Sequence, residues 1–153
     1  MDPALAASLM MKLDHIGIAV ADLLGAARSM EALGLIRTDE GQLGPEATQG
    51  YPGLNARWVF YGTAKGDSPI LLLQPLDAQG PIHEFLHAGK AGMQHLAFAV
   101  DDLERAHAVL LQAGVQFARP RPFVDPDGNR SHFFSLNGVP GVLFELTQWA
   151  RKP

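Results

Sequence analysis

The sequence predicts an α+β fold built from two βαβββ modules. Three observations carry this: a repeat at a spacing of 80 residues, a period-two alternation opening each copy, and a capped amphipathic helix directly after it. Sliding the chain by 80 residues lays 14–35 (DHIGIAVADLLGAARSMEALGL) over 94–115 (QHLAFAVDDLERAHAVLLQAGV), with seven of 22 positions identical. The shared residues are His15/His95, Ala19/Ala99, Val20/Val100, Asp22/Asp102, Leu23/Leu103, Ala26/Ala106 and Gly34/Gly114. A second echo, offset by 74, pairs Ile70–Gln74 with Phe144–Gln148.

Taken in order, residues 1–11 read as a loose arm or extended start, 12–76 as the first module, 77–91 as a linker with its own short helix, 92–149 as the second module and 150–153 as a tail. Each module opens with a strand, His15–Val20 or His95–Val100. It sets small residues beyond a His on one face (Gly17 and Ala19; Ala97 and Ala99) and bulky ones on the other. Asp22 and Asp102 are natural N-caps, because a short carboxylate accepts the free N–H groups of a first helical turn. Leu23, Ala27 and Met30 then form one apolar stripe, and Leu103, Ala106 and Leu110 another. Gly34 and Gly114 stand where a left-handed C-cap belongs. Extended segments follow at Leu35–Thr38, Ala56–Tyr61 and Ile70–Leu73, and again at Val115–Ala118, Ser131–Leu136 and Val142–Thr147. The loop Gly62–Pro69 and the turns Asp125–Gly128 and Asn137–Gly141 punctuate them.

Composition narrows the function. With 153 residues, 47% hydrophobic and 18% charged, the chain has enough apolar material for one domain with a real core. A net charge of −4 and the lack of basic runs argue against nucleic acid as a partner. The absence of cysteine excludes disulfides, a thiol nucleophile and iron–sulfur ligation, so any metal must sit on His and carboxylate. Apolar runs such as Ile70–Leu73 are too short to span a bilayer, and Ala4–Met11 has no basic stretch before it of the kind a signal peptide carries. A cytoplasmic protein with no membrane partner is the expectation.

The last predicted strand places Leu143, Glu145 and Thr147 on one face. A carboxylate within GVLFELTQ is costly to bury unless it is paired or ligating. If the two sheets curl towards one another, His15, His95 and Glu145 converge from inner faces. Two imidazoles and one carboxylate suit a divalent transition metal with open positions.

The segments LDHIGIAVADL (13–23), ILLLQPL (70–76), GMQHLAFAVDDLERAHAVLLQAG (92–114) and GVLFELTQ (141–148) resemble the vicinal oxygen chelate superfamily. That superfamily includes glyoxalase I, methylmalonyl-CoA epimerase, bleomycin and fosfomycin resistance proteins and extradiol dioxygenases. The resemblance implies paired modules forming a cupped, barrel-like sheet around one divalent ion (Fe, Zn, Ni, Co or Mn) held by His15, His95 and Glu145, in a homodimer. PLDAQGPIHEFLHAGKAGMQH (75–95) is most similar to the epimerase-like branch. There the metal holds a substrate carbonyl while a carboxylate moves a proton, a role Glu145 would combine with ligation. Three departures from the epimerases stand out. Leu71 occupies the repeat position of Glu145, the epimerase-type glutamate before the strand at Ala56 is missing (Tyr51 lies near that place and Glu46 is the nearest upstream acid), and Ser135-Leu136-Asn137 replaces a His-Pro-Lys turn. Methylmalonyl-CoA itself is therefore not the expected substrate.

Arg57, Val59 and Tyr61 share one strand face, as do Arg130, His132 and Phe134; Trp58 and Phe60 take the opposite one. Arg57, Tyr61, Arg130 and His132, with Leu71, are the candidate substrate contacts. His83-Glu84-Phe85-Leu86-His87 matches the HExxH of zinc proteases, but Pro81 and Gly89 leave it little more than two turns. A solvent-facing His pair on a short helix is the simpler reading. His107, matched by Ala27, reads as a surface residue, and Arg119 and Arg121 as exposed. The expected function is a metal-dependent lyase or isomerase acting by proton transfer on a small oxygen-bearing substrate. The alternatives are an Fe(II) ring-cleaving dioxygenase on the same ligands and a non-catalytic antibiotic-binding protein.

Overall fold

A computed structural model describes residues 7–9, 11–44, 55–66, 69–89 and 92–150. Glu46 and Tyr51, most of the N-terminal arm and most of the tail lie outside the described residues. The fold is α+β, with three helices and nine strands among the described residues: β1 Lys12–Ala19, α1 Leu23–Ala32, β2 Ile36–Leu43, β3 Ala56–Gly62, β4 Ile70–Pro75, α2 Pro81–His87, β5 Gly92–Ala99, α3 Leu103–Gln112, β6 Gln116–Phe117, β7 Phe123–Val124, β8 Arg130–Ser135 and β9 Leu143–Gln148. They fall into two compact units, one comprising 15–94 and the other the described parts of 1–14 and 95–153.

The first unit orders its strands β2-β3-β4-β1, with β4 parallel to β1 and antiparallel to β3. The pairing sets Gly17 opposite Leu71 and Leu71 opposite Phe60. Directly paired residues share a sheet face, so His15, Gly17, Ala19, Leu71, Leu73, Trp58 and Phe60 lie on one side. On that side Ala19, Ala56, Leu71 and Leu73 pack with Ile82 of α2, flanked by Trp58, Phe60, Phe85 and Leu86. Trp58 also needs Gly41 in the next strand: a Cβ there would sit 2.6 Å from its ring. The other side carries Val59, Tyr61 and Leu72 against Ala27 of α1, flanked by Ile18, Val20, Leu23 and Met30.

The second unit runs β5-β9-β8-β6, with β7 also on β8. Its register sets Ala97 opposite Glu145 and Glu145 opposite Phe133. The core beneath α3 is Leu103, Ala106, Leu110, Val115, Phe134, Phe144 and Leu146, with Phe134 stacked on Phe144 at 5.6 Å. Leu9 packs against this cluster, and Trp149 Nε1 donates to Asp14 Oδ1 at 2.9 Å.

The repeat recurs bond for bond. Asp22 Oδ1 accepts from Gly25 N at 3.0 Å and Asp102 Oδ1 from Arg105 N at 2.9 Å. Each helix closes on a glycine with φ of 80° or 83°, and the N–H groups of Leu35 and Val115 return to the carbonyls of Met30 and Leu110. That is the Schellman closure, satisfying carbonyls the helix end leaves open. The glutamine ending each module's last strand caps its helix: Gln74 Oε1 accepts from Leu23 N at 3.3 Å and Gln148 Oε1 from Leu103 N at 3.0 Å.

Three elements depart from expectation. β2 extends to Leu43 rather than Thr38, because backbone pairing with β3 holds it although almost every side chain is exposed. β6 is only two residues long, and β7 forms a short strand just after ARPRP.

At Gly114 no atom lies within 4 Å of an added Cβ, so Gly114→Ala introduces backbone strain and no clash. The variant is expected to lose about 1–2 kcal/mol, read as a lower urea midpoint with unchanged slope. Gln148→Leu, which removes the cap on Leu103 N, is expected to lose about 1 kcal/mol by the same measurement.

Candidate functional site

In the second unit, the alternation of β9 and its register with β5 bring His95 and Glu145 to one face, where both are buried. Their Nε2 and Oε2 atoms are 3.3 Å apart. Glu145 is the buried carboxylate among the described residues. The spacing fits a shared cation: two neighbouring ligands at about 2.1 Å from one ion lie about 3.0–3.4 Å from each other. Phe133, opposite Glu145 on β8, meets the His95 imidazole edge-on, with centroids 5.9 Å apart and planes at 83°.

In the first unit, His15 is buried at the same repeat position, and Phe60 meets it edge-on at 5.2 Å and 90°. Leu71 lies opposite Gly17 as Glu145 lies opposite Ala97. The two positions are thus equivalent in register, and the first module places a side chain without a lone pair where the second places a carboxylate. Phe60 and Phe133 are the contacts that alternation alone missed. An offset of 73 would have found them, since it aligns Arg57 with Arg130 and Phe60 with Phe133.

Four of the five expected substrate contacts lie on the other face. Tyr61 is fully buried in the cluster beneath α1, its hydroxyl donating to Glu31 Oε1 at 3.1 Å, and Arg57 shares its parity and is exposed. Burial, joined by the Glu31 carboxylate, raises the Tyr61 pKa above its ordinary value. Arg130 is engaged with Glu104 of α3. His132, opposite Leu146, is fully buried, with Nε2 2.9 Å from the Arg119 carbonyl oxygen. The placement follows from strand parity: the residues two apart from these, Val59 and Phe134, belong to the helix-side cores. Leu71 alone of the five shares the His15 face.

His132 is a structural group with an electrostatic signature. A carbonyl only accepts, so Nε2 carries the proton, while Nδ1 is buried without a hydrogen-bond partner. A second proton would create a buried N–H lacking an acceptor, and burial, with His107 adding to it, lowers the His132 pKa below 6.5. His107 is not simply a surface residue: it is half-buried, its ring 4.7 Å from that of His132 and 4.4 Å from Phe117. Because the unfolded chain then binds the extra proton more readily, stability is greatest above about pH 6.5 and falls as pH drops through that value towards the depressed one. Denaturation profiles between pH 8 and 5 check this: in His132→Phe the acid-side loss shrinks, whatever the offset at pH 8.

Among the described residues no helix is long and apolar enough to cross a membrane. Comparison with known proteins agrees with this geometry. Residues 14–134 match the model of the Glyoxalase/Bleomycin resistance protein/Dioxygenase superfamily. The chain is 30% identical over 140 residues to the uncharacterized protein YqjC of Bacillus subtilis, covering 91% of this chain and 93% of that one. It is 29% identical over 139 residues to the mitochondrial methylmalonyl-CoA epimerase of Dictyostelium discoideum, covering 90% and 78%. The crystal structure of methylmalonyl-CoA epimerase from Mycobacterium tuberculosis superposes with a TM-score of 0.75 at 30% identity, covering 90% and 87%. The chain belongs to the Glyoxalase/Bleomycin resistance protein/Dioxygenase superfamily.

Proposed function

We infer that this protein is a divalent-metal-dependent isomerase of the epimerase type, moving a proton on the carbon beside a carbonyl of a small substrate, with His15, His95 and Glu145 as the ligands. The observation that carries the reading is the buried His95–Glu145 pair at 3.3 Å, matched in the other module by a buried His15 at the same repeat position. All three side chains are buried, and all are of the types that ligate divalent ions. The epimerase relatives, each matching about nine-tenths of this chain, support the reaction class.

When bound, the cation would supply a Lewis acid that stabilises negative charge developing on the substrate carbonyl oxygen. Glu145 would take the proton from the adjacent carbon, and a proton delivered to the opposite face of the resulting enolate inverts that carbon. His95 holds the Glu145 carboxylate in place, and Phe133 restricts the His95 ring. Leu71 offers no lone pair, which leaves room for substrate oxygen.

Leu71 also favours a second reading. Two His and one carboxylate with open positions form the ligand set of non-haem Fe(II) oxygenases, so ring cleavage of a catechol is the competing activity.

Elemental analysis of untagged protein purified without chelator is expected to find about one equivalent of divalent metal, lost in His15→Ala and in His95→Ala. Intact metal in both variants with folding preserved defeats the ligand assignment. Glu145→Gln is expected to slow deuterium exchange at the acidic C–H of an acyl probe such as methylmalonyl-CoA by about 10²–10⁴-fold. Oxygen consumption with a catechol, dependent on Fe(II) and without such exchange, selects the dioxygenase instead.

A further inference from the structure

The HExxH segment is not absorbed by this function. Helix α2 has seven residues and stops at Ala88, with Gly89 turning the chain at a φ of 71°. No third His or carboxylate joins this pair in a buried or exposed chelating group among the described residues. A zinc-protease site is therefore not built here. What α2 does build is a pair of imidazoles. His83 and His87 lie one turn apart, so both project from one strip of the helix. Their rings are stacked with centroids 3.7 Å apart and planes 22° from parallel. His87 is exposed and His83 half-buried, so neither is closed to solvent.

The hydrogen bonding of His87 settles its tautomer. Its Nδ1 lies 3.0 Å from the carbonyl oxygen of His83. A carbonyl only accepts, so Nδ1 carries the proton and Nε2 keeps its lone pair. A backbone carbonyl holding the distal N–H is the arrangement that orients a metal-ligating histidine. Spacing agrees as well. Two nitrogens bound at about 2.1 Å to one ion, at angles between square and tetrahedral, stand about 3.0–3.4 Å apart. Side chains one helical turn apart reach that separation once a ring turns: in the stacked pair the in-plane lone pairs run nearly parallel, so His83 must rotate about χ2 to face an ion held by the anchored His87. Imidazole pairs favour Cu2+, Ni2+ and Zn2+ over harder divalent ions.

We propose that His83 and His87 form a two-imidazole surface site for a borderline transition-metal cation, separate from the buried ligands and independent of the proton-transfer reading. Glu84, exposed on the same helix, takes no part.

The test is a Cu2+ titration of the full chain near neutral pH, read by bound equivalents and by nitrogen hyperfine coupling in the electron paramagnetic resonance spectrum. Alanine suits a helix, so His83→Ala and His87→Ala leave α2 intact. Performed in the His95→Ala background, the titration is expected to show one equivalent with two coupled imidazole nitrogens. Either alanine variant is expected to reduce affinity at least tenfold and the coupling to one nitrogen, while Glu84→Gln leaves both unchanged. Binding that is unaltered in both alanine variants, or abolished by Glu84→Gln, overturns the proposal. Failure of the buried site appears separately, as metal content insensitive to His15→Ala and His95→Ala.

Discussion

The parallel pairing of the first and last strand of each module is the constraint on which the rest of the structure depends. Ile16, Gly17, Ile18 and Ala19 lie opposite Ile70 to Leu73, and Leu96 to Ala99 lie opposite Phe144 to Thr147. A parallel pair cannot be joined by a tight turn, so the chain must cross over, and the helix lies on that crossover. The register then decides every face. Side chains alternate with a period of two, so a slip of one residue in β9 would turn Glu145 into the cluster beneath α3 and Leu146 towards His95.

That register is pinned at the helix starts. Val20 N donates to the Leu73 carbonyl and Val100 N to the Thr147 carbonyl, each at 2.9 Å. One residue further along β4 and β9, Gln74 and Gln148 reach the free N–H groups of Leu23 and Leu103. A slipped strand would lose the glutamine cap and the face alternation together. Helix docking and strand register thus fail or hold as one event.

Much of this was legible because it is written twice. The caps at Asp22 and Asp102, the stripes Leu23–Ala27–Met30 and Leu103–Ala106–Leu110, and the glycine closures appear as predicted, since each rests on local chemistry. The side of the sheet that β3 and β8 present was not legible. Arg57, Val59, Tyr61 and Trp58, Phe60 are both plausible inner sets by hydrophobicity, and only pairing with Leu71 and Leu72 across β4 separates them. The same holds for His132 and Phe133 across β9. Polar atoms misled in this instance: Tyr61, Arg130 and His132 look like site residues, yet each spends its polar group on a helix or loop of its own unit. The length of β2 was hidden for a different reason, because an edge strand exposed on both faces carries no alternation to read.

The contrast between Leu71 and Glu145 shows what the duplication has divided. At equivalent register positions, Leu71 packs with Leu73, Ala19 and Ile82 and contributes to stability through apolar burial. Glu145 occupies the same kind of place beside His95, 3.3 Å away, where a carboxylate is costly to bury unless it is paired or ligating. Replacing a buried polar pair by well-packed apolar residues is often neutral or stabilising. A carboxylate held in the second module therefore fits the ligand role proposed for it. The asymmetry is one of kind: at this register position the second unit places a carboxylate and the first an apolar side chain.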